Sequence, residues 1–451
     1  MIADLKPYAA YKESELPWLG QVPGHWRVER AKSLFTKMDR PVRDEDDVVT
    51  CFRDGMVTLR RYRRLRGYTE ATVFSGYQGV RKGDLVIHGM DAFAGAIGVS
   101  DSDGKGTPVY NVCQPKAGVN ARYYAHLFRE MARSQWILAL AKGIRERSTD
   151  FRFEMFGVQP IPLPPPDEQA AIVRFLDWAN ARLERAIRAK RKVIALLNEQ
   201  KQAVIHRAVT RGLDPFVPLK PSGIPWLGDI PAHWSVSRIK NEFHCLNTQR
   251  VPLNSVERGA MTARTYDYYG ASGVIDRVDD YIFDDELLLI AEDGANLVLR
   301  NLPLAIIARG KFWVNNHAHI LKPRHGNIAY LAELLETLNY MPWISGAAQP
   351  KLTQDRLLSI SIAVAPHDEQ VTIVKQSSER TRPLVTAISR LEREIELLRE
   401  YRTRLVADVV TGKLDVREAA ARLPVEAPLD NAEEITDSGD EPDVEGEGAP
   451  A

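Results

Sequence analysis

The sequence predicts an α/β (α+β) chain: two mixed α/β domains separated by two long helices that form an antiparallel coiled coil, with a pseudo-twofold internal repeat. Three observations carry that expectation. A ten-residue motif occurs twice, 208 positions apart. A shorter motif also recurs, 201 positions apart, and each copy opens a stretch with apolar residues at coiled-coil spacing. The segments between the motifs do not match each other, as for a shared scaffold that carries two different heads.

Each element follows from its residues. The first domain, 1–165, opens with Pro17-Trp18-Leu19-Gly20-Gln21-Val22-Pro23-Gly24-His25-Trp26. This returns in the second domain, 216–365, as Pro225-Trp226-Leu227-Gly228-Asp229-Ile230-Pro231-Ala232-His233-Trp234. Val80–Ile87 reads as a turn entering a buried strand, and Tyr281–Ile290 takes the comparable place in the second half. Helices are expected around 122–140 and 328–338.

The first helical stretch, 166–215, begins at Asp167-Glu168-Gln169, with Asp167 expected as N-cap. Leu176, Leu183, Leu197 and Val204 recur at sevens with Lys190 at the missing place; Ile187 and Ile194 fall four residues after their neighbours in that row. The second stretch, 366–423, begins at Asp368-Glu369-Gln370. There Leu384, Ile388, Leu391, Ile395, Leu398, Arg402, Leu405 and Val409 alternate by four and three. Pro383 is expected either to divide a short helix from a long one or to sit in the first turn of the long one. Gly212 and Gly412 stand where a C-cap glycine belongs. The long helices are then about 30 residues, roughly 45 Å each. Each is the nearest partner for the other's stripe; packing on its own domain or on another protein stays open.

Charge is unevenly placed. Sixty basic and sixty acidic residues cancel over 451, but 424–451 hold ten acids and no Lys or Arg, leaving a net of +10 on the rest. That is a modest attraction for a polyanion. The acidic stretch has the composition of a disordered tail, serving solubility or weak competition with a polyanion for the basic face. No run of about 18 uncharged apolar residues exists, so no spanning helix is expected. The first residues lack an apolar signal core, so the expected location is cytoplasmic. Cys51, Cys113 and Cys245 are far apart without CxxC, so neither a disulfide framework nor a zinc cluster is expected.

No catalytic residue emerges. Gly104-Lys105-Gly106-Thr107 lacks P-loop spacing, and no G-x-G-x-x-G opens a helix. The tetrapeptide of base-flipping amino-methyltransferases is absent. Pro166-Asp167 with Glu199 and Lys201 imitates a nuclease motif, but at about 48 Å along one helix these groups cannot share a metal. His317 and His319 alternate, which would put both on one side of a strand, but no third metal ligand is nearby.

Other residues suit nucleic acid. Arg60, Arg61, Arg63, Arg64 and Arg66 crowd eight positions with Tyr62 and no acid. Guanidinium forks grip phosphates and read guanine edges; a solvated charge run is the plainer reading, and the flanking Gly55 and Gly67 favour contact. Lys142, Arg145 and Arg147 form a second basic loop. The second half offers Asn296, Asn315, Asn316, His317, His319, Gln349 and Lys351 instead. Amides read adenine edges, although turn chemistry is the commoner use of any one asparagine.

With these motifs the sequence resembles the DNA specificity (S) subunits of type I restriction–modification systems over residues 14–420. The carriers are PWLGxxPxHW, seen twice; the PPPDEQ and APHDEQ openings; GASGVIDRVDDYIFDDELLLIAEDGANL with GKFWVNNHAHIL; and GIRERSTDFRFEMFGVQPIPLP. The resemblance implies that each variable region is a target recognition domain reading one half of a bipartite double-stranded DNA site. It implies two methyltransferase (M) subunits that bind S-adenosylmethionine, and restriction (R) subunits driven by ATP with Mg. This chain itself would bind no cofactor and catalyse nothing. The seam residues Leu176, Leu183, Ile187, Ile194, Leu197, Leu384, Ile388, Leu391, Ile395, Leu398 and Leu405 would serve the coiled coil and the partners. The acidic tail is outside the pattern. Two rival classes remain: a self-contained DNA-modifying enzyme, which needs the motifs not found, and a coiled-coil scaffold for proteins, which predicts no salt-dependent DNA binding.

Overall fold

A computed structural model describes residues 5–63, 76–141, 150–346 and 350–424. Arg64, Arg66, Lys142, Arg145, Arg147, Gln349 and the acidic tail beyond Pro424 lie outside the described residues. The chain divides into two units, 1–187 with 397–451, and 188–396.

The first unit holds a four-stranded antiparallel sheet of β1 (Phe35–Lys37), β2 (Leu85–His88), β3 (Ile97–Val99) and β4 (Tyr110–Pro115), in the order β1-β4-β2-β3. The expected turn into β2 forms, with Gly83 at φ +92°. Alternation along β2 sends Leu85 and Ile87 to the main core and Val86 to a smaller cluster with Val49, Val57 and Tyr110. This is why the strand reads as a continuous apolar run. Helix α1 (Ala121–Arg133) is capped by Asn120, whose side chain accepts from the Arg122 and Tyr123 amides. It buries Tyr124, Leu127, Phe128 and Met131. The helix expected over 122–140 is in fact two: Gln135 takes a left-handed conformation (φ 64°) and a short helix restarts at Trp136–Leu140. Helix α2 spans Pro166–Arg211.

The second unit holds a six-stranded sheet. Its strands are β5 (Phe243–Cys245), β6 (Tyr266–Gly270), β7 (Gly273–Val278), β8 (Phe283–Ala291), β9 (Ala305–Val314) and β10 (Ala318–Pro323), ordered β5-β10-β8-β9-β6-β7. The β6–β9 pair is parallel and the others antiparallel. Leu288 and Ile290 of β8 face one core, Leu287 and Leu289 the other. Helix α3 (Ile328–Thr337) is capped by Asn327 as α1 is by Asn120. Helix α4 spans His367–Val410.

The long helices correct the sequence reading. They contain 46 and 44 residues, about 69 and 66 Å at 1.5 Å per residue, not 45 Å. They begin at the DEQ motifs and continue to the glycine caps without a break. Pro166 occupies the first helical position, so Asp167 lies in the first turn rather than capping it. Pro383 neither divides α4 nor opens it; it sits inside. Apolar packing on both sides of it outweighs the roughly 3 kcal/mol an internal proline costs. Gly212 and Gly412 end the helices with φ +74° and +79°.

Each unit takes one end of each long helix. In the first, Leu405, Val409 and Val410 share a core with Ile172, Phe175, Leu176 and Ala179, while Arg402 Nη1 donates to Glu184 (3.1 Å). In the second, Val209 shares a core with Ile373, while Lys190 Nζ meets Glu394 at 2.5 Å. Within each unit, later positions on α2 meet earlier ones on α4, so the segments run antiparallel. Lys190 and Arg402, the two breaks in the apolar seams, each face an acid. Leu183, Ile187, Ile388 and Ile395 are buried, and Ile194, Leu197, Leu384, Leu391 and Leu398 half-buried. Cys51, Cys113 and Cys245 are free thiols. Among the described residues no helix is long and apolar enough to cross a membrane.

Candidate nucleic-acid interface

The repeated motifs meet in a joint that holds each head to the helices. In the first unit Trp26 Nε1 donates to Glu168 Oε1 (2.9 Å), His25 Nε2 lies 2.7 Å from Oε2, and the Tyr8 hydroxyl also donates to Glu168. Burial first, then the Glu168 carboxylate, pushes the Tyr8 hydroxyl far above its ordinary pKa, so it remains a donor. In the second unit Trp234 Nε1 donates to Glu369 Oε2 (3.0 Å) and His233 Nε2 lies 2.7 Å from it. The next residue joins the head helix. Gln169 Oε1 accepts from the Asn120 amide, and Gln370 Oε1 from the Asn327 amide, both at 2.8 Å. The head helix then reaches the other long helix, as Tyr123 OH donates to the Val410 carbonyl (3.0 Å) and Tyr330 OH to that of Val209 (3.5 Å). The cap glycine packs there too: a Cβ on Gly412 would fall 2.4 Å from Pro23 and 2.9 Å from Trp26.

A third repeat therefore lies between the two read from the sequence. Asn120-x-x-Tyr123 and Asn327-x-x-Tyr330 stand 207 positions apart. Two matched positions in a divergent stretch were too sparse a signal without the caps and carbonyls they serve.

In the first head, the arginine run continues the strand Val57–Leu59 as one helical turn, Arg60–Arg63. Arg60 Nε donates to Thr50 (3.3 Å). Arg61 pairs with Asp47 (3.1 Å), and Arg63 pairs with Asp54 (2.7 Å) and stacks 4.3 Å from the Phe52 ring centroid. The run has no acid in sequence, yet in space Asp47 pairs with Arg61 and Asp54 with Arg63. Such exposed pairs are weak, ~0–1 kcal/mol, and open readily to a phosphate.

In the second head, most of the predicted residues gather around Glu292 and Asp293. His317 Nδ1 lies 2.8 Å from Asp293 Oδ2. Lys351 Nζ lies 3.3 Å from Glu292. Arg250, missed by sequence reasoning, donates from Nη1 to Glu292 (2.5 Å) and to the carbonyls of Asn316 and Ala318. Burial pushes the Glu292 pKa up, but the Arg250 guanidinium and the Lys351 ammonium outweigh it and the carboxyl ends below its ordinary value. His319 is wholly buried. Its Nε2 meets the Leu352 carbonyl (2.7 Å) and so donates, leaving Nδ1 to accept from Asn247 (2.8 Å). Burial lowers its pKa and keeps it neutral.

The two histidines do not share one side as expected. His317 precedes β10 and is exposed, while His319 lies inside the sheet. Among the described residues no three His, Cys, Asp or Glu side chains are placed to hold a metal ion. Asn315 is buried and accepts the His317 amide (2.8 Å). Asn296 closes a loop by two bonds with Leu302. This leaves Asn316, His317 and Lys351 exposed and facing outward from one patch.

Two heads thus stand on matching joints and carry different polar surfaces. Residues 231–397 match the family described as type I restriction modification DNA specificity domain. A putative type I restriction enzyme specificity subunit of Haemophilus influenzae, S.HindORF215P, is 36% identical over 132 residues, 29% of this chain and 33% of that protein. The match thus spans about a third of that relative's length. A chain from a structure on the complex assembly and conformational transition of the type I R-M system shares the fold. Its TM-score is 0.58 at 15% identity, covering 87% of this chain and 99% of that one. The HsdS subunit of Thermoanaerobacter tengcongensis aligns with a TM-score of 0.40 at 15% identity, over 87% and 98% of the chains. The family match thus falls in the second half of the chain, and the likeness of fold extends over both halves.

Proposed function

We propose that this chain is the non-catalytic DNA-reading subunit of a type I restriction–modification complex. Each head reads one half of a bipartite double-stranded site, the first through the arginine turn at Arg60–Arg63, the second through Asn316, His317 and Lys351. The long helices present two methyltransferase subunits, and with them restriction subunits, to that site for N6 methylation of adenine or cleavage of unmodified DNA. S-adenosylmethionine, ATP and Mg belong to those partners, and the complex works in the cytoplasm. The observation that carries this reading is the repeated joint beneath two unlike heads: a scaffold that must stay fixed while its surfaces vary fits recognition better than catalysis. Methylome mapping of a host with and without the chain tests it. A split N6-methyladenine motif present only with the chain is the expected result, and an unchanged methylome would overturn it.

A further inference from the structure

The first head carries an open cavity of about 570 Å³ between the outer face of α1 and β3. Lys82, Arg122, His126 and Arg129 stand around an apolar floor that includes Met56 and Ile97, with Asp101 the single acid in the lining. Arg129 is half-buried, and its guanidinium lies against the Gly55 backbone so closely that a Cβ there would fall 2.7 Å from Nη1. It makes no ion pair with any described residue. The nearby carboxylate that favours its charge, Asp54, is engaged by Arg63. Lys82 is exposed and also lacks a carboxylate partner among the described residues. A half-buried guanidinium without a counter-charge is costly unless something anionic covers it.

The chain supplies such a group nearby. Arg174 on α2 donates to the carbonyls of Leu423 (2.7 Å) and Pro424 (3.3 Å), fixing the point where the acidic segment departs. Three residues along the same helix, about 4.5 Å of rise, Asp177 grips Arg122 at the cavity wall through bonds of 2.9 and 2.7 Å. The segment 425–451 holds ten acids and no Lys or Arg, with Val425, Leu429, Ile435 and Val444 among them. It matches a basic rim over an apolar floor, and its 27 residues, at up to ~3.5 Å each, have ample reach across the first head.

We propose that the acidic segment 425–451 docks in this cavity of its own first head, its carboxylates on Arg129 and Lys82 and its apolar residues on the floor. This goes beyond the proposed DNA reading and does not depend on it. The bound segment lies beside the Arg60–Arg63 turn, since Val57 in the cavity wall opens the strand that leads there.

The test uses the full chain, a chain ending at Pro424, and a fluorescent synthetic peptide of residues 425–451, followed by anisotropy at low salt. The shortened chain should bind the peptide. The full chain should bind it at least about tenfold more weakly, because its own segment sits at an effective concentration of order millimolar. Lys82→Glu, an exposed change that leaves the core untouched, should weaken binding by the shortened chain several-fold, and Arg129→Gln more. A scrambled peptide of the same composition should bind more weakly than the native one. Equal peptide uptake by the full and shortened chains would overturn the proposal. So would a native affinity in Lys82→Glu, or equal binding of the scrambled peptide, which would reduce the effect to bulk charge.

Discussion

The two units solve one attachment problem twice and differ in what they attach. Both hold the glutamate of a DEQ motif with a His-Trp pair, both give the following glutamine to the amide of a capping asparagine, and both send a tyrosine to the end of the other long helix. Above that joint the first head has a four-stranded sheet and an arginine turn, the second a six-stranded sheet and a patch of amide, imidazole and ammonium. Each member of the joint satisfies a polar group of another, whereas the polar surfaces of the heads face solvent.

The strongest way to break this comparison is to move a head. Replacing 27–160 with the corresponding region of another such subunit should change one half of the recognised site and leave the other intact. Specific sites outcompete non-specific DNA by roughly 10³–10⁷, so the effect on methylation patterns should be all-or-none. The donor must keep an asparagine and a tyrosine at the places of Asn120 and Tyr123, which lie inside the exchanged region but belong to the joint. Methylome mapping in which both half-sites change would contradict independent heads.

The joints themselves are not equally buried. Glu168 is 1% exposed and serves three donors, whereas Glu369 is 27% exposed and serves two. Glu168→Ala leaves a buried indole N–H and a buried phenol unpaired and should cost about 3 kcal/mol, against about 1 kcal/mol for Glu369→Ala, where water can replace the carboxylate. Denaturant unfolding, with hydrogen exchange in α1 and α3 to assign the loss, measures both. Equal losses would remove the asymmetry.

How much of this was legible in the sequence depends on whether a signal was local. The duplication, the mixed α/β heads, the long helices and the glycine caps were, because periodicity and capping act over a few residues. Helix length was not, since Pro383 was expected to divide the second helix or to open it, while the packing that carries the helix through it comes from α2 and α4 together. Clusters made in space were invisible too: Asp47 and Asp54 lie 14 and 9 residues from the arginines they hold, and Arg250 meets Glu292 across 42 positions. His319 was expected on one side of a strand with His317, because alternation says nothing about where the strand begins.

The surfaces should differ in salt dependence. Every phosphate that the protein ceases to neutralise takes about 0.9 off the log–log slope. Replacing Arg60, Arg61, Arg63 and Arg64 with Ala should weaken binding of the assembled complex to DNA and lower that slope by about 1–3, below the full value because Asp47 and Asp54 already share two of the charges. Lys351→Ala in the second head should lower it by less than about 1. An unchanged slope in the folded arginine variant would make the turn a solvated face.

The smallest effect, and the sharpest contrast, is in pH. His126 on α1 and Glu333 on α3 each stand six residues after the capping asparagine, so they occupy equivalent places. Burial, helped by Arg129 and Arg122, holds His126 down at about 4. Burial, opposed only by a hydrogen bond from Ser377, pushes Glu333 up to about 7. Burial disfavours the charged form of both groups, but the linkage runs in opposite directions. The His126 contribution is complete above its unfolded value of 6.5 and is lost as pH falls towards 4. The Glu333 contribution is complete below its unfolded value of 4.5 and is lost as pH rises through about 7. Acid should loosen the first head and mild alkali the second, each by about 1 kcal/mol once partial solvent access is allowed for. Hydrogen exchange in α1 and α3 at ~pH 5 and ~pH 8 reads the two separately. Glu333→Gln should remove the alkaline loss in α3 and leave α1 unchanged, and His126→Gln should do the reverse. If both heads respond to pH with the same sign, the equivalent positions do not carry the opposite linkage assigned to them, and the difference between the heads stops at their surfaces.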